Sequence, residues 1–212
     1  MRASEISRFL VVYPGRFQPF HIGHKSVYDH LTQAFKSSPV FIATSNKVEL
    51  PKSPFTFDEK AYMMRLTGVP AKAIVQSVQP YKAAEITANY DPAKTVLVFA
   101  VSEKDMAEDP RFAFKPLKDG SPSYFQPYTG KNLQPFSNAK NADGTRAGHG
   151  YVIPVRDVQF SIAGQSINSA SQIRNLYKAA DDEGRVGILH ELYPNGGALV
   201  DKIKRIFDAK LG

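Results

Sequence analysis

Two histidines three positions apart, His21 and His24, follow an apolar run and a glycine in the stretch Gly15-Arg16-Phe17-Gln18-Pro19-Phe20-His21-Ile22-Gly23-His24. On the first turn of a helix, residues at i and i+3 face the same side. Two imidazoles so placed can donate hydrogen bonds to the oxygens of one phosphate, where negative charge builds during in-line attack on phosphorus. The helix start itself contributes free N–H groups and the positive end of a dipole. Gly15 lets the backbone turn and approach a ligand closely, and Gly23 keeps a side chain out of the space between the two rings. Such a pair could instead ligate a metal, but no third ligand stands at zinc-site spacing nearby. His30, His149 and His190 are isolated and read as structural residues.

These residues must be held at the carboxyl ends of strands. Strand-length apolar runs at Phe9–Tyr13, Val40–Thr44, Ile74–Val78 and Thr95–Val101 alternate with amphipathic segments, the pattern of βα units feeding a parallel sheet. Val27, Tyr28, Leu31, Ala34 and Phe35 recur at helical spacing behind the histidines, and that helix ends near Ser37-Ser38-Pro39. Thr56 and Glu59 form a T-x-x-E capping box for a second helix, closed by Gly68 and Pro70. A fifth strand is expected within Tyr151–Phe160, with Pro154 confining part of it to an edge or bulge. Helices follow at about Ser169–Ala180, Val186–Leu192 and Ala198–Ala209.

Between Met106 and Gly150 the period disappears, yet Phe112, Phe114, Tyr124, Phe125, Tyr128 and Phe136 make the stretch too aromatic for simple disorder. The expected architecture is therefore a Rossmann-like α/β doubly wound parallel sheet of about five strands, with a long irregular insertion and C-terminal helices. In residue terms this is a single domain over 1–212, with the insertion at 106–150 and the helical part at 169–212.

Composition sets outer bounds. The chain has 212 residues, 42% of them hydrophobic and 22% charged, which suits a globular protein able to bury a full core. No apolar run approaches the roughly 18 residues that cross a bilayer. The absence of cysteine excludes disulfides, a thiolate zinc site and a cysteine nucleophile. The first residues lack the apolar segment of a signal peptide, so a cytoplasmic protein is expected. Twenty-seven Lys and Arg against 20 Asp and Glu leave a net charge of +7, but without a basic run of five. That distribution favours a solvated surface and a phosphate pocket over a nucleic-acid groove.

The string G-R-F-Q-P-F-H-I-G-H resembles the signature of the nucleotidyltransferase superfamily bearing the H-x-G-H motif, and is most similar to its archaeal-type nicotinamide mononucleotide adenylyltransferases, a branch that includes phage-encoded enzymes. Ser53-Pro54-Phe55-Thr56 resembles the N-P-F-T segment of that branch, in which a basic residue just upstream contacts nucleotide phosphates, and Lys52 fills that position. Asn168-Ser169-Ala170-Ser171-Gln172-Ile173-Arg174 is similar to the family's I-S-S-T-x-I-R element, although Ala170 replaces a hydroxyl or glycine. Independently of any name, a Ser N-cap, a helix dipole and an arginine one turn in can cradle a polyphosphate; the same pattern alone would also serve as plain helix capping.

The resemblance implies transfer of a nucleoside monophosphate from a nucleoside triphosphate, ATP or CTP, to a phosphorylated acceptor, with release of pyrophosphate. Its favoured form is ATP plus nicotinamide mononucleotide giving NAD. His21, His24 and Arg174 would be the catalytic residues, with Gly15, Arg16, Phe17, Gly23, Lys52, Ser169 and Ser171 at the nucleotide. Thr44, Ser45 and Asn46, after the second strand, and Glu103 and Asp105, after the fourth, would line the acceptor pocket; for the latter two a polar turn is the competing reading. No general base is required, because the attacking group is already an oxyanion, and Mg2+ would ride on the triphosphate rather than on a protein carboxylate cluster. Cytidylyltransferase and pantetheine-phosphate adenylyltransferase chemistry remain open, as do a nucleic-acid-binding protein and a structural protein on an inactive fold. Relatives often form homo-oligomers, but no exposed apolar stripe in the sequence argues for one.

Overall fold

The computed structural model describes residues 8–116, 118–120, 123–137, 150–156 and 158–212. Six strands, β1 (Arg8–Pro14), β2 (Val40–Thr44), β3 (Ile74–Gln76), β4 (Thr95–Ser102), β5 (Phe125–Pro127) and β6 (Gly150–Val155), form one parallel sheet in the order β3-β2-β1-β4-β6-β5. β1 and β4 are apolar at nearly every position because both faces are covered. Along β1, Val11 and Tyr13 enter one core and Leu10 and Val12 the other, as a period of two requires.

The first core is closed by α1 (Ile22–Ala34) and α2 (Phe57–Leu66), together with the C-terminal helices α5 (Ala170–Ala179), α6 (Asp182–Leu192) and α7 (Val200–Leu211). Opposite it lie the short α3 (Ala84–Thr87) and α4 (Glu103–Glu108), with Ile86 and Met106 facing the second core. The chain runs outward from β1 to β3 and then returns to β4 on the other side of β1, so the strand order reverses between β1 and β4. In open α/β sheets, the crevice beyond the carboxyl ends at such a reversal receives the ligand.

The doubly wound parallel sheet expected from the sequence is present, with six strands instead of five. The added strand comes from the expected insertion: β5 pairs with β6, and Phe125 packs its ring 5.5 Å from Phe99 and 5.1 Å from Phe112. A three-residue strand has too short a run to show a period. The Thr56–Glu59 capping box forms reciprocally, at 3.3 and 2.7 Å. β6 ends at Val155 rather than running toward Phe160; Pro154 lies past the last β5–β6 pair, Pro127 with Val152, where the strand has become an edge. Phe160 instead opens a separate antiparallel hairpin, β7 (Phe160–Ile162) and β8 (Gln165–Ile167). Its two loop residues, Ala163 and Gly164, both have positive φ, as the tight turns that match strand twist require. α6 starts four residues before the expected Val186, on an Asp181 cap, because Gly184 and Gly187 interrupt its apolar pattern.

Residues 138–149 of the insertion, including His149, and residues 1–7 lie outside the described residues. Among the described residues no helix is long and apolar enough to cross a membrane.

Candidate active site

The loop after β1 is built by packing its own aromatic side chains inward. Phe17, at φ 49°, turns back so that its ring lies over Gly15, where a Cβ would sit 2.6 Å from the ring. The same ring packs edge-on against Tyr13, Phe20 and His24. Gly15 thus accommodates the Phe17 ring rather than a ligand, and the Phe17 side chain belongs to the core.

Gln18 is buried, and its amide pairs with the backbone of Phe55 in both directions: Nε2 donates to the carbonyl at 3.0 Å and Oε1 accepts from the N–H at 2.8 Å. This fastens the first loop to the Ser53–Thr56 segment and so to the start of α2. From the C-terminal side, Arg174 reaches back 156 positions and donates to the Gln18 carbonyl at 2.5 Å, while its second nitrogen donates to Ser171 Oγ at 3.0 Å. Tyr193 Oη likewise donates to the Phe20 carbonyl at 2.7 Å. Three distant stretches of chain are therefore joined at one loop.

The resulting cleft holds about 470 Å³ at the carboxyl ends of β1 and β4. Arg16, Phe17, Gln18 and His24 form one wall, and Ser169, Ala170, Ser171 and Arg174 face them from the start of α5. Lys52, Ser102, Lys104, Asp105 and Asn168 complete the rim. Arg16, Lys52, Lys104 and Arg174 have no carboxylate within ion-pair distance among the described residues, so four cations line a space with one acidic lining residue, Asp105. Burial, and then the charge of Arg16, push the Arg174 guanidinium below its ordinary range, which means that an anion placed there would be held strongly.

His21 is the N-cap of α1, and its Nδ1 accepts from the Gly23 N–H at 3.2 Å. An imidazole that accepts at Nδ1 carries its proton on Nε2, which fixes His21 as an Nε2 donor while the ring is neutral. Its ring stacks on His24 with centroids 3.7 Å apart. Burial holds both rings neutral: the pKa of His21 is lowered by burial and by the neighbouring His24, and that of His24 is pushed down to about 3 by burial. The Nδ1 of His24 is buried without a hydrogen-bond partner among the described residues, so a hydrogen bond from this ring to a ligand must leave through Nε2. His21 and Gly23 border a small adjoining cavity of about 100 Å³ that shares His24, Asn168, Ser169 and Ala170 with the cleft. A Cβ on Gly23 would lie 3.1 Å from both the His21 and Phe160 rings. Ser169 caps α5, its Oγ accepting from the Gln172 N–H at 3.3 Å.

The acceptor-pocket residues divide. Asp105 lines the cleft and accepts from Tyr81 Oη at 3.4 Å. Glu103 points away, within 3.7 Å of Arg156. Thr44 is fully buried, Ser45 is partly covered beside it, and the Asn46 Oδ1 is occupied by the Phe57 N–H at 2.7 Å; none of the three lines the cleft. For Thr44 and Ser45 the reason is a lysine on the neighbouring helix. Lys60, on α2, extends beneath these loops and takes the Thr44 hydroxyl and the Ser45 carbonyl as acceptors. Its signal was available: Lys60 shares its helix face with Met63 and Met64, a charged residue at i, i+3 and i+4 spacing on an apolar stripe. Among the described residues, no three of His, Cys, Asp and Glu are grouped so as to hold a metal ion.

Comparison with known proteins places this geometry in context. The pattern of the cytidylyltransferase-like family matches residues 12–120, about half of the chain. A nicotinamide-nucleotide adenylyltransferase of Sulfolobus acidocaldarius is 32% identical over 68 residues, which is 30% of this chain and 39% of that protein. One from Methanolobus tindarius is 38% identical over 53 residues, 25% of this chain and 31% of the relative. The matched stretches thus span well under half the length of these relatives. The solved structure of Plasmodium falciparum nicotinic acid mononucleotide adenylyltransferase complexed with NaAD shares the fold, with a TM-score of 0.53 and 12% identity, covering 97% of this chain and all of that one.

Proposed function

The chain belongs to the cytidylyltransferase-like family, and from that premise we propose that it is a nucleotidyltransferase that moves a nucleoside monophosphate from a nucleoside triphosphate to a phosphorylated acceptor, with ATP and nicotinamide mononucleotide as the pair. The observation that carries this reading is the 2.5 Å bond from Arg174 to the Gln18 carbonyl, which brings the start of α5 against the histidine loop around one cationic cleft. The names of the two archaeal relatives, whose similarity lies within part of the chain, support the choice of pair.

In this reading a phosphate oxygen of the acceptor attacks the α-phosphorus. A new P–O bond forms, the bond to the bridging oxygen breaks, and pyrophosphate leaves with that electron pair. The histidines act as neutral hydrogen-bond donors toward the α-phosphate oxygens, His21 through Nε2. Arg16, Lys52, Ser171, Arg174 and the α5 start take the β- and γ-phosphates, with Mg2+ arriving on the triphosphate as part of the substrate. Preorganised donors in a partly desolvated cleft supply the stabilisation, so no proton needs to be removed from the nucleophile.

The test is pyrophosphate release from ATP and from CTP, each paired with nicotinamide mononucleotide, phosphopantetheine, glycerol phosphate or choline phosphate. Release with ATP and nicotinamide mononucleotide, abolished by a chelator and restored by Mg2+, is the expected result. Preferential release with CTP, or with another acceptor, would replace the pair and keep the chemistry. No release with any combination would end the enzymatic reading.

A further inference from the structure

Lys60 is 1% exposed, yet its Nζ has three neutral acceptors, Thr44 Oγ1 at 2.7 Å, the Ser45 carbonyl at 2.6 Å and the Arg16 carbonyl at 3.3 Å, and among the described residues no carboxylate within ion-pair distance. An ammonium has three donors, so its hydrogen-bonding capacity is filled by groups from two loops. The residue itself does not line the cleft. Removing a charge from water without an opposite charge nearby is unfavourable, and burial pushes this amine down to about 8. A methionine would fit the same helix face, as Met63 and Met64 beside it show. A methionine, however, cannot join the loop after β1 to the end of β2.

The acceptors indicate what that junction does. Arg16 follows β1 and lines the cleft, near enough for its charge to act on Arg174, while Thr44 ends the neighbouring strand and Ser45 leads on to Lys52 on the cleft rim. Thr44 Oγ1 also lies 3.5 Å from the Arg16 carbonyl, so the hydroxyl and the ammonium meet at the same peptide from below. We propose that Lys60 is a positioning residue: from beneath the cleft it fixes the Arg16 backbone against the end of β2, and thereby holds the Arg16 side chain where a triphosphate binds. The binding half of this proposal rests on the nucleotidyltransferase reading, whereas the tie between the loops does not.

Lys60→Met is the direct test, with Thr44→Val as a second variant that removes one point of the junction while leaving the ammonium in place. Amide hydrogen exchange is expected to accelerate about tenfold or more at residues 16–18 and 45–47 in Lys60→Met, and less in Thr44→Val, with α5 to α7 unchanged. Calorimetric titration with ATP and Mg2+ is expected to give a roughly tenfold weaker Kd in Lys60→Met. A purely structural lysine would weaken binding equally with or without Arg16. A positioning residue acting through Arg16 should cost almost nothing in an Arg16→Ala background.

Unchanged exchange at both loops in the two variants would overturn the proposal, and so would additive losses in the double variant. Should Lys60→Met not fold, Thr44→Val and its combination with Arg16→Ala decide on the same criteria. If the wild-type protein neither binds ATP nor releases pyrophosphate, the nucleotidyltransferase reading fails, and the binding half of the proposal with it. The exchange data still decide whether Lys60 ties the loops.

Discussion

Arg174 donates through one guanidinium nitrogen to the backbone carbonyl of Gln18 and through the other to Ser171. Substitution can separate its position from its charge, because the position is fixed by neutral oxygens while the charge faces the cleft without an ion-paired carboxylate among the described residues. Sequence alone suggests a group that meets only the substrate; the structure also makes it a buried bridge between α5 and the histidine loop.

Arg174→Ala is accordingly expected to lower both stability and turnover. It strands a buried carbonyl and removes the contact between two segments, which should cost about 1–3 kcal/mol in urea unfolding. Loss of a cation from the phosphate site should reduce kcat/KM by roughly two orders of magnitude or more at temperatures where the variant remains folded. Arg174→Lys keeps the charge but not the planar fork, so it should recover much of the stability and only part of the rate. A folded alanine variant with kinetics within about twofold of the wild type would remove Arg174 from the cradle.

Gln18 should behave differently, because its side-chain amide is paired with the Phe55 backbone. Gln18→Ala leaves both the N–H and the carbonyl of the fully buried Phe55 without their partner. Unsatisfied buried groups cost about 1–3 kcal/mol each. The urea midpoint should fall by an amount corresponding to about 2–6 kcal/mol, while ATP affinity measured on the folded fraction should fall less than in Arg174→Ala. Equal stability of the variant and the wild type would show that the loop is held by other contacts.

The histidine pair gives a pH dependence with a definite sign. Both imidazoles have folded pKa values below the ordinary 6.5, that of His24 at about 3. Below pH 6.5 the unfolded chain takes up protons that the folded chain refuses, so stability is full above that pH and falls as the pH is lowered. From pH 7.5 to 5.5 His24 alone should remove about 1.4 kcal/mol, and His21 adds to the loss in the same direction, before most carboxylates begin to titrate. Urea midpoints at pH 7.5, 6.5 and 5.5 measure the fall, and His24→Gln should make it shallower. A flat profile would mean that both rings take up protons as readily in the folded protein as in the unfolded chain.

Much of this arrangement was legible in the sequence, and the exceptions share a cause. Strands β1, β2 and β4, the α1 stripe and the Thr56–Glu59 cap are local patterns, and local patterns survive into the fold. Arg16, His24, Ser171 and Arg174, which the resemblance singles out, line one cleft with Lys52 on its rim, and His21 borders the adjoining cavity. What spacing cannot display is which groups are already committed to one another. Thr44 and Asn46 read as polar groups at a sheet edge, but Lys60 and the α2 N-terminus occupy them. Gly15 reads as room for a ligand, but the Phe17 ring fills that room. β5 and the β7–β8 hairpin were hidden because three-residue strands are defined by their partners rather than by their own period.

Gly23 provides the sharpest separation of fold from site. It lies in the first turn of α1, with a φ outside the left-handed region, so alanine there meets no backbone penalty and gains up to about 1 kcal/mol of helix propensity. Against that gain stands its neighbourhood, where an added Cβ would fall 3.1 Å from the His21 Cε1 and Nδ1 and from the Phe160 Cε1. The His21 ring would have to yield by a few tenths of an ångström and loosen its Nδ1 bond to the Gly23 N–H, the bond that fixes its Nε2 as a donor. Small displacements of a preorganised donor are costly in the transition state and cheap in the folded state. Gly23→Ala is therefore expected to keep a melting temperature within a few degrees of the wild type while lowering kcat about tenfold or more, with a smaller change in KM. Unaltered kcat would show that the His21 ring adapts without loss, and its assignment as an oriented donor would have to be withdrawn.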